Sequence, residues 1–97
     1  MVLITMFGPA KHKYLHDMIS LRNPQAAMGS IRELGKEFRS AKTRVKRLRI
    51  ARATMLAANR ASASAKKRNL SVAEKGQYRE IANLYAGAAK AFFKRLA

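Results

Sequence analysis

One uninterrupted stretch, from Asn23 to Arg68, most constrains how this chain can fold. It begins with Asn23-Pro24, which joins a preferred N-cap residue to a proline suited to the first helical position. No further proline follows within the stretch, and its apolar residues recur at helical spacing. We therefore predict a long basic helix over residues 24–68, about twelve turns in length. The sequence leaves open whether this helix is continuous or bends near Asn59–Ser64, where helix propensity weakens.

Helical geometry sorts this stretch into two faces. The apolar face, flanked by Ile31, collects Leu34, Phe38, Ala41, Val45, Leu48, Met55, Leu56 and Ala63. Two residues break the pattern, because Arg52 falls within the apolar face and Ile50 falls on the polar side. A buried unpaired arginine is costly, so either the apolar face ends before Arg52 or this side chain reaches a carboxylate or phosphate at an interface. Ile50 indicates a second buried surface that faces another subunit.

The remaining segments also read as helical. Residues 1–9 are predicted to form an apolar arm, and residues 10–22 a short helix that ends near Arg22. Ser71-Val72-Ala73-Glu74 has the form of a capping box, which predicts a helix over residues 72–96. The predicted fold class is all-α: one helical domain in which the C-terminal helix packs antiparallel to the long helix as a helical hairpin, with copies assembling into oligomers. The predicted packing face of the last helix comprises Tyr78, Ile81, Tyr85, Ala88, Phe92 and Leu96.

The charge of the chain indicates its partner. The net charge is +16, thirteen of the 21 Lys and Arg residues lie between Arg32 and Arg68, and no Asp or Glu occurs from Phe38 to Ala73. Such a basic helix is suited to a polyanion, and its cations can contact phosphates without reading bases. The predicted nucleic-acid contacts are Arg32, Lys36, Arg39, Lys42, Lys46, Arg47, Arg49, Arg52, Arg60, Lys66, Lys67 and Arg68.

Other kinds of site find little support. The chain has no cysteine, and its five acidic residues are scattered, so we predict no enzymatic activity, no cofactor and no small-molecule substrate. His12 and His16 are spaced to share a helical face, but no third ligand is evident and no metal site is predicted. No apolar run approaches the roughly 18 residues that span a bilayer. The apolar start MVLITMF is too short for a signal peptide, so we expect no secretion by that route.

The order of elements resembles that of the major capsid proteins of rod-shaped and filamentous archaeal viruses. In those proteins an N-terminal arm and helix precede a helical hairpin that wraps double-stranded DNA. The resemblance covers the layout of most of the chain and implies a structural protein that coats double-stranded DNA in many copies. It places the protein in a virion or in an intracellular nucleoprotein.

Three alternatives compete with this interpretation. A ribosomal protein that binds rRNA through basic helices has an equally suitable composition, and RNA therefore stays open beside DNA. A chromatin-like or transcription-regulating DNA binder is also considered, but a DNA-reading helix-turn-helix domain is disfavoured because its helices are much shorter than the predicted first helix. A membrane-surface helix is disfavoured because the apolar face is rich in alanine and has no tryptophan.

Overall fold

The structure is a computed structural model that describes Leu15 and residues 18–96. These residues form three helices, α1 (Pro24–Ser40), α2 (Arg44–Ser64) and α3 (Val72–Leu96), and contain no strand. The all-α prediction is confirmed. The predicted apolar arm over residues 1–9, most of the predicted short helix, and the His12 and His16 pair lie outside the described residues.

The prediction of one long helix is wrong, because residues 41–43 interrupt it. α1 begins as expected, with the Asn23 side chain accepting a hydrogen bond from the Ala26 N–H at 2.7 Å and Pro24 in the first turn. It ends at Ser40, and Ala41 has an extended backbone (φ −68°, ψ 131°). Thr43 then starts α2 as its N-cap, since its hydroxyl accepts a hydrogen bond from the Lys46 N–H at 3.1 Å. The break therefore lies well before Asn59–Ser64, where the sequence indicated weakness.

This break changes which face of α2 is buried. A continuous helix would place Arg52 on the same side as Phe38 and Ile50 away from it. In the structure Ile50 is fully buried and Arg52 is exposed, so both exceptions to the sequence pattern disappear. The predicted intersubunit role of Ile50 is wrong, because this side chain belongs to the core of its own chain. Conversely, Val45 is 61% exposed and Leu56 is 49% exposed, although both were predicted to be on the packing face.

The second half of the predicted long helix also ends early. α2 stops at Ser64, and the Lys66 and Lys67 N–H groups then bond to carbonyls three residues back, at 3.1 and 3.2 Å. Such bonds tighten a last helical turn and finish it. The connection to α3 therefore covers residues 65–71 and is longer than the three residues expected from the sequence.

The capping box at the start of α3 is confirmed. The Ser71 hydroxyl accepts from the Glu74 N–H at 3.1 Å, and the Glu74 carboxylate accepts from the Ser71 N–H at 2.8 Å. These hydrogen bonds to its charged form hold the pKa of the Glu74 carboxyl below its usual range. The boundary of α3 is thus fixed by local chemistry that the sequence displays.

α3 is the helix on which the other two pack. α2 forms the most extensive helix pair with α3, and α1 packs mainly on α3 and less on α2. The predicted face of α3 supplies Ile81, Tyr85 and Phe92 to the core, joined by Ala89. α2 contributes small buried residues, including Ala57 and Ala61, which allow a close approach of its partner helix.

Two contacts fix the direction of α1 relative to α3. The Tyr85 hydroxyl lies against Ser20 and Ser30, and the rings of Phe38 and Phe92 stack with their centroids 4.7 Å apart. Going from Ser30 to Phe38 along α1 therefore corresponds to going from Tyr85 to Phe92 along α3. The two helices run in the same direction, so the predicted antiparallel arrangement does not hold for α1.

The segment before α1 is held by the same contacts. Leu15 and Met18 have helical backbone, whereas Ile19–Arg22 do not, so the predicted helix end near Arg22 is wrong. The reason lies at Ser20, whose N–H donates to the Ser30 hydroxyl at 3.0 Å and to the Tyr85 hydroxyl at 3.1 Å. Its carbonyl accepts from the Tyr85 hydroxyl at 2.7 Å. Tertiary hydrogen bonds thus replace those that a helix would make.

Candidate nucleic-acid interface

The outer face of α1 carries a row of three cations. Arg32, Lys36 and Arg39 recur at helical spacing on the side opposite Leu34 and Phe38, and all three are exposed. Lys36 lies 3.4 Å from Glu33, but both side chains are more than half exposed. An exposed pair of this kind is worth little and leaves the lysine available to an anion. We call these three residues the α1 row.

The corner between α1 and α2 carries exposed cations. Lys42 is exposed in the connection itself, and Arg44 is exposed in the first turn of α2. That first turn contains no acidic residue. Because the start of a helix already carries partial positive charge, these cations add to a potential of the same sign. An anion such as a phosphate is favoured at this corner.

Two of the predicted contacts also hold the corner together. The Arg47 guanidinium donates to the Ala41 carbonyl oxygen at 3.0 Å and is only partly exposed. The Lys46 ammonium lies 3.7 Å from the Glu37 carboxylate. The first contact joins α2 to the connection, and the second joins α2 to α1. Arg47 therefore stabilises the corner, and among the twelve predicted contacts it is the one that is only partly exposed.

The exposed side of α2 extends the charge along the molecule. Arg49 and Arg52 lie there between the exposed apolar side chains of Val45 and Leu56, and Arg60 is exposed two turns farther on. Arg52 is exposed, in agreement with the alternative that the apolar face does not include it. After α2 the chain places Lys66, Lys67 and Arg68 in the connection, all of them exposed.

The structure does not gather the twelve predicted contacts into one patch. All except Arg47 are exposed. The corner and the 66–68 cluster, however, stand at opposite ends of α2, which is about 30 Å long at 1.5 Å per residue. This arrangement suits an extended ligand better than a compact one.

Several exposed cations were missing from the predicted set. Arg44 was counted in the charge of the long stretch but not named as a contact, and it is exposed. On α3, Arg79, Lys90 and Lys94 are exposed on the side away from Ile81 and Phe92. Their spacing of eleven and four residues places them on one helical face, and this signal was available in the sequence.

The aromatic side chains limit how the surface can contact bases. Phe38, Tyr85 and Phe92 are buried, and Tyr78 and Phe93 are partly buried against the core. Within residues 18–96, therefore, no aromatic ring stands fully exposed as a stacking platform for bases. Burial raises the pKa of the Tyr85 hydroxyl, in keeping with a core position.

The described residues show few other kinds of site. Across Leu15 and residues 18–96, no three His, Asp or Glu side chains come together as a metal site would require. In the same part of the chain, none of the helices combines the length and the apolar character needed to cross a membrane. Comparisons with protein-family models, curated proteins and solved structures find no match to this chain.

Proposed function

We propose that this protein is a non-enzymatic, structural nucleic-acid-binding protein that coats double-stranded DNA, as the subunit of a viral capsid or nucleocapsid. One observation carries the proposal. Exposed Arg and Lys side chains extend along α1, the corner and α2. Residues 18–96, by contrast, contain four acidic residues, all of them glutamates. Few of these cations are neutralised within the chain, so the surface gains free energy by releasing the counterions of a polyanion.

Charge and shape together favour a duplex over a single strand. Proteins that bind single strands combine a basic groove with aromatic rings on which bases stack. Here the described aromatic rings are buried or partly buried against the core, and the cations are spread over the length of the helices. Contacts of this kind recognise the regular phosphate backbone and carry no sequence information. The partner that fits is a duplex bound without sequence preference, together with further copies of the protein along it.

Binding to duplex DNA at several salt concentrations tests the proposal. We expect the logarithm of the affinity to fall linearly with the logarithm of the salt concentration. Replacing the α1 row by Gln (R32Q/K36Q/R39Q) is expected to reduce the slope by about 2 to 3, since each lost phosphate contact removes about 0.9. The matched control R32K/K36R/R39K keeps all three charges and is expected to keep the slope.

The outcomes separate the proposal from its alternatives. Affinity that does not depend on salt, or equal slopes for the Gln variant and its control, contradicts phosphate contact by the α1 row. Fluorescence anisotropy with a single strand and with duplex RNA of the same length identifies the preferred ligand. Stronger binding to a folded RNA than to duplex DNA indicates a ribosomal role instead.

A further inference from the structure

The connection between α1 and α2 lacks the residues that normally interrupt a helix. It consists of Ala41, Lys42 and Thr43, without glycine or proline. Ala and Lys are among the stronger helix formers. No described residue has a positive φ, so the bend also needs no unusual backbone conformation. Local chemistry therefore permits one helix across residues 41–43, which we call the hinge, although Thr43 also suits the N-cap position of the bent form.

Three side-chain contacts within the corner hold the hinge bent, and Ala41 is buried there. They are the Thr43 cap on the Lys46 N–H, the Arg47 bond to the Ala41 carbonyl, and the 3.7 Å ion pair of Lys46 with Glu37. The ion pair is half exposed on its lysine side, so its contribution is small. A bent hinge also leaves the Arg44 and Val45 N–H groups, at the start of α2, without intrahelical acceptors. A continuous helix supplies those acceptors.

The bent form is held chiefly by the packing of α1 on α3. Its main contacts are the Phe38–Phe92 stack and the hydrogen bonds of Tyr85 with Ser20 and Ser30. None of these contacts uses α2. The segment from Ser20 to Ser40 can therefore make the same contacts with the α3 of another copy, which has an identical surface.

The exposed apolar residues of α2 fit this exchange. In a continuous helix Val45 follows Phe38 by seven residues, which places both on the same face. Val45 is 61% exposed in the bent form. A second copy packed on Phe38 lies next to Val45 and covers it.

We propose that the hinge straightens and that α1 then packs on the α3 of a second copy, producing a domain-swapped dimer. Such exchange keeps the contacts between α1 and α3 and is a low-cost route to dimers. The charge of +16 on each copy opposes it, so the swap requires screening by salt or neutralisation by a polyanion. The dimer does not depend on the proposed function, because concentrated salt alone is sufficient to screen the charges.

Proline at position 44 tests the hinge. The backbone of Thr43 (φ −123°, ψ 151°) is already in the conformation that a following proline requires, and position 44 begins α2. R44P is therefore compatible with the bent form but interrupts a continuous helix. The control R44Q removes the same charge without that effect. T43A removes the cap of the bent form and favours the straight one.

Sedimentation equilibrium at about 1 M salt, where the Debye length is about 3 Å, measures the dimer without DNA. We expect R44P to raise the dimer dissociation constant more than about 100-fold over R44Q. We expect T43A to lower it about tenfold. Circular dichroism of R44P checks that its helices remain. A wild type that stays monomeric, or equal dimerisation of R44P and R44Q, overturns the proposal.

A mixed-label experiment distinguishes a swap from side-by-side association. In a dimer formed from ¹³C-labelled and unlabelled chains, isotope-filtered NOEs report contacts between chains. We expect such NOEs between the Phe38 and Phe92 rings. If this pair gives NOEs only within one chain of the dimer, the swap is wrong. Duplex binding is measured separately, so loss of DNA affinity alone contradicts the proposed function and leaves the swap intact.

Discussion

The Tyr85 hydroxyl holds the backbone of Ser20 at both of its polar groups. It donates to the Ser20 carbonyl oxygen at 2.7 Å and accepts from the Ser20 N–H at 3.1 Å. These residues lie 65 positions apart in the sequence, and the bonds attach the segment before α1 to α3. The tyrosine side chain is fully buried. Its hydroxyl provides hydrogen bonds to the Ser20 N–H and carbonyl, which are not part of a helix.

Replacing Tyr85 by phenylalanine tests the contribution of this hydroxyl. Y85F leaves the Ser20 carbonyl oxygen without the hydrogen bond that it accepts from Tyr85. We expect the free energy of unfolding to fall by about 1 kcal/mol, the net contribution of a typical hydrogen bond, because Ser20 is partly buried. Urea denaturation measures this change. The control Y78F alters a partly exposed tyrosine and is expected to change the free energy by less than about 0.5 kcal/mol. Equal effects of the two substitutions contradict the assigned role.

The same tyrosine predicts a loss of stability at high pH. Burial raises the pKa of Tyr85 in the folded chain above its ordinary value of about 10. Between these two pKa values the unfolded chain has released the proton while the folded chain retains it, so rising pH favours unfolding. The stability that the neutral hydroxyl provides is complete below about pH 10 and is lost as the pH passes the raised pKa.

Comparison with Y85F isolates that contribution from the titration of lysines. We expect the free energy of unfolding of the wild type to decline more steeply above about pH 10 than that of Y85F. Urea denaturation of both proteins over a pH series provides the measurement. Parallel curves would show that Tyr85 titrates alike in the folded and unfolded chains.

Truncation of two apolar residues tests the break at residues 41–43. Ile50 is fully buried, and we expect I50A to lower the free energy of unfolding by about 2 to 4 kcal/mol. Val45 is mostly exposed, and V45A is expected to cost less than about 0.5 kcal/mol. An uninterrupted helix over residues 24–68 reverses the order of these two effects. Thermal or urea denaturation of both variants therefore shows which face of α2 is buried.

Local chemistry allowed the sequence to predict several elements. Asn23-Pro24 marks the start of α1, and the reciprocal bonds of Ser71 and Glu74 mark the start of α3, because both signals involve neighbouring backbone groups. The packing face of α3 was also readable, since Ile81, Tyr85 and Phe92 recur at helical spacing within one unbroken helix. The exposure of most predicted cations follows from the cost of burying a charge.

The sequence failed where distant contacts determine the backbone. Nothing in Ala41-Lys42-Thr43 excludes a helix, although Thr43 is also a favoured N-cap residue. Ile50 and Arg52 are misplaced on the predicted helix, but a shift in helical phase and a second buried surface both produce this pattern, so the pattern alone does not distinguish them. The structural role of Arg47 was equally hidden, since its acceptor at Ala41 exists only once the chain bends.

By itself the sequence determined that this chain is helical, strongly basic and capped at Asn23 and Ser71, because propensity, charge and capping depend on residues close in the chain. The tertiary structure alone decided that residues 41–43 leave the helix and that α1 runs parallel to α3. Burial of Phe38 against Phe92 and of Tyr85 against Ser20 stabilises this arrangement. Such contacts outweigh a local preference for helix, since the free energy gained by burying large side chains exceeds the propensity of three residues.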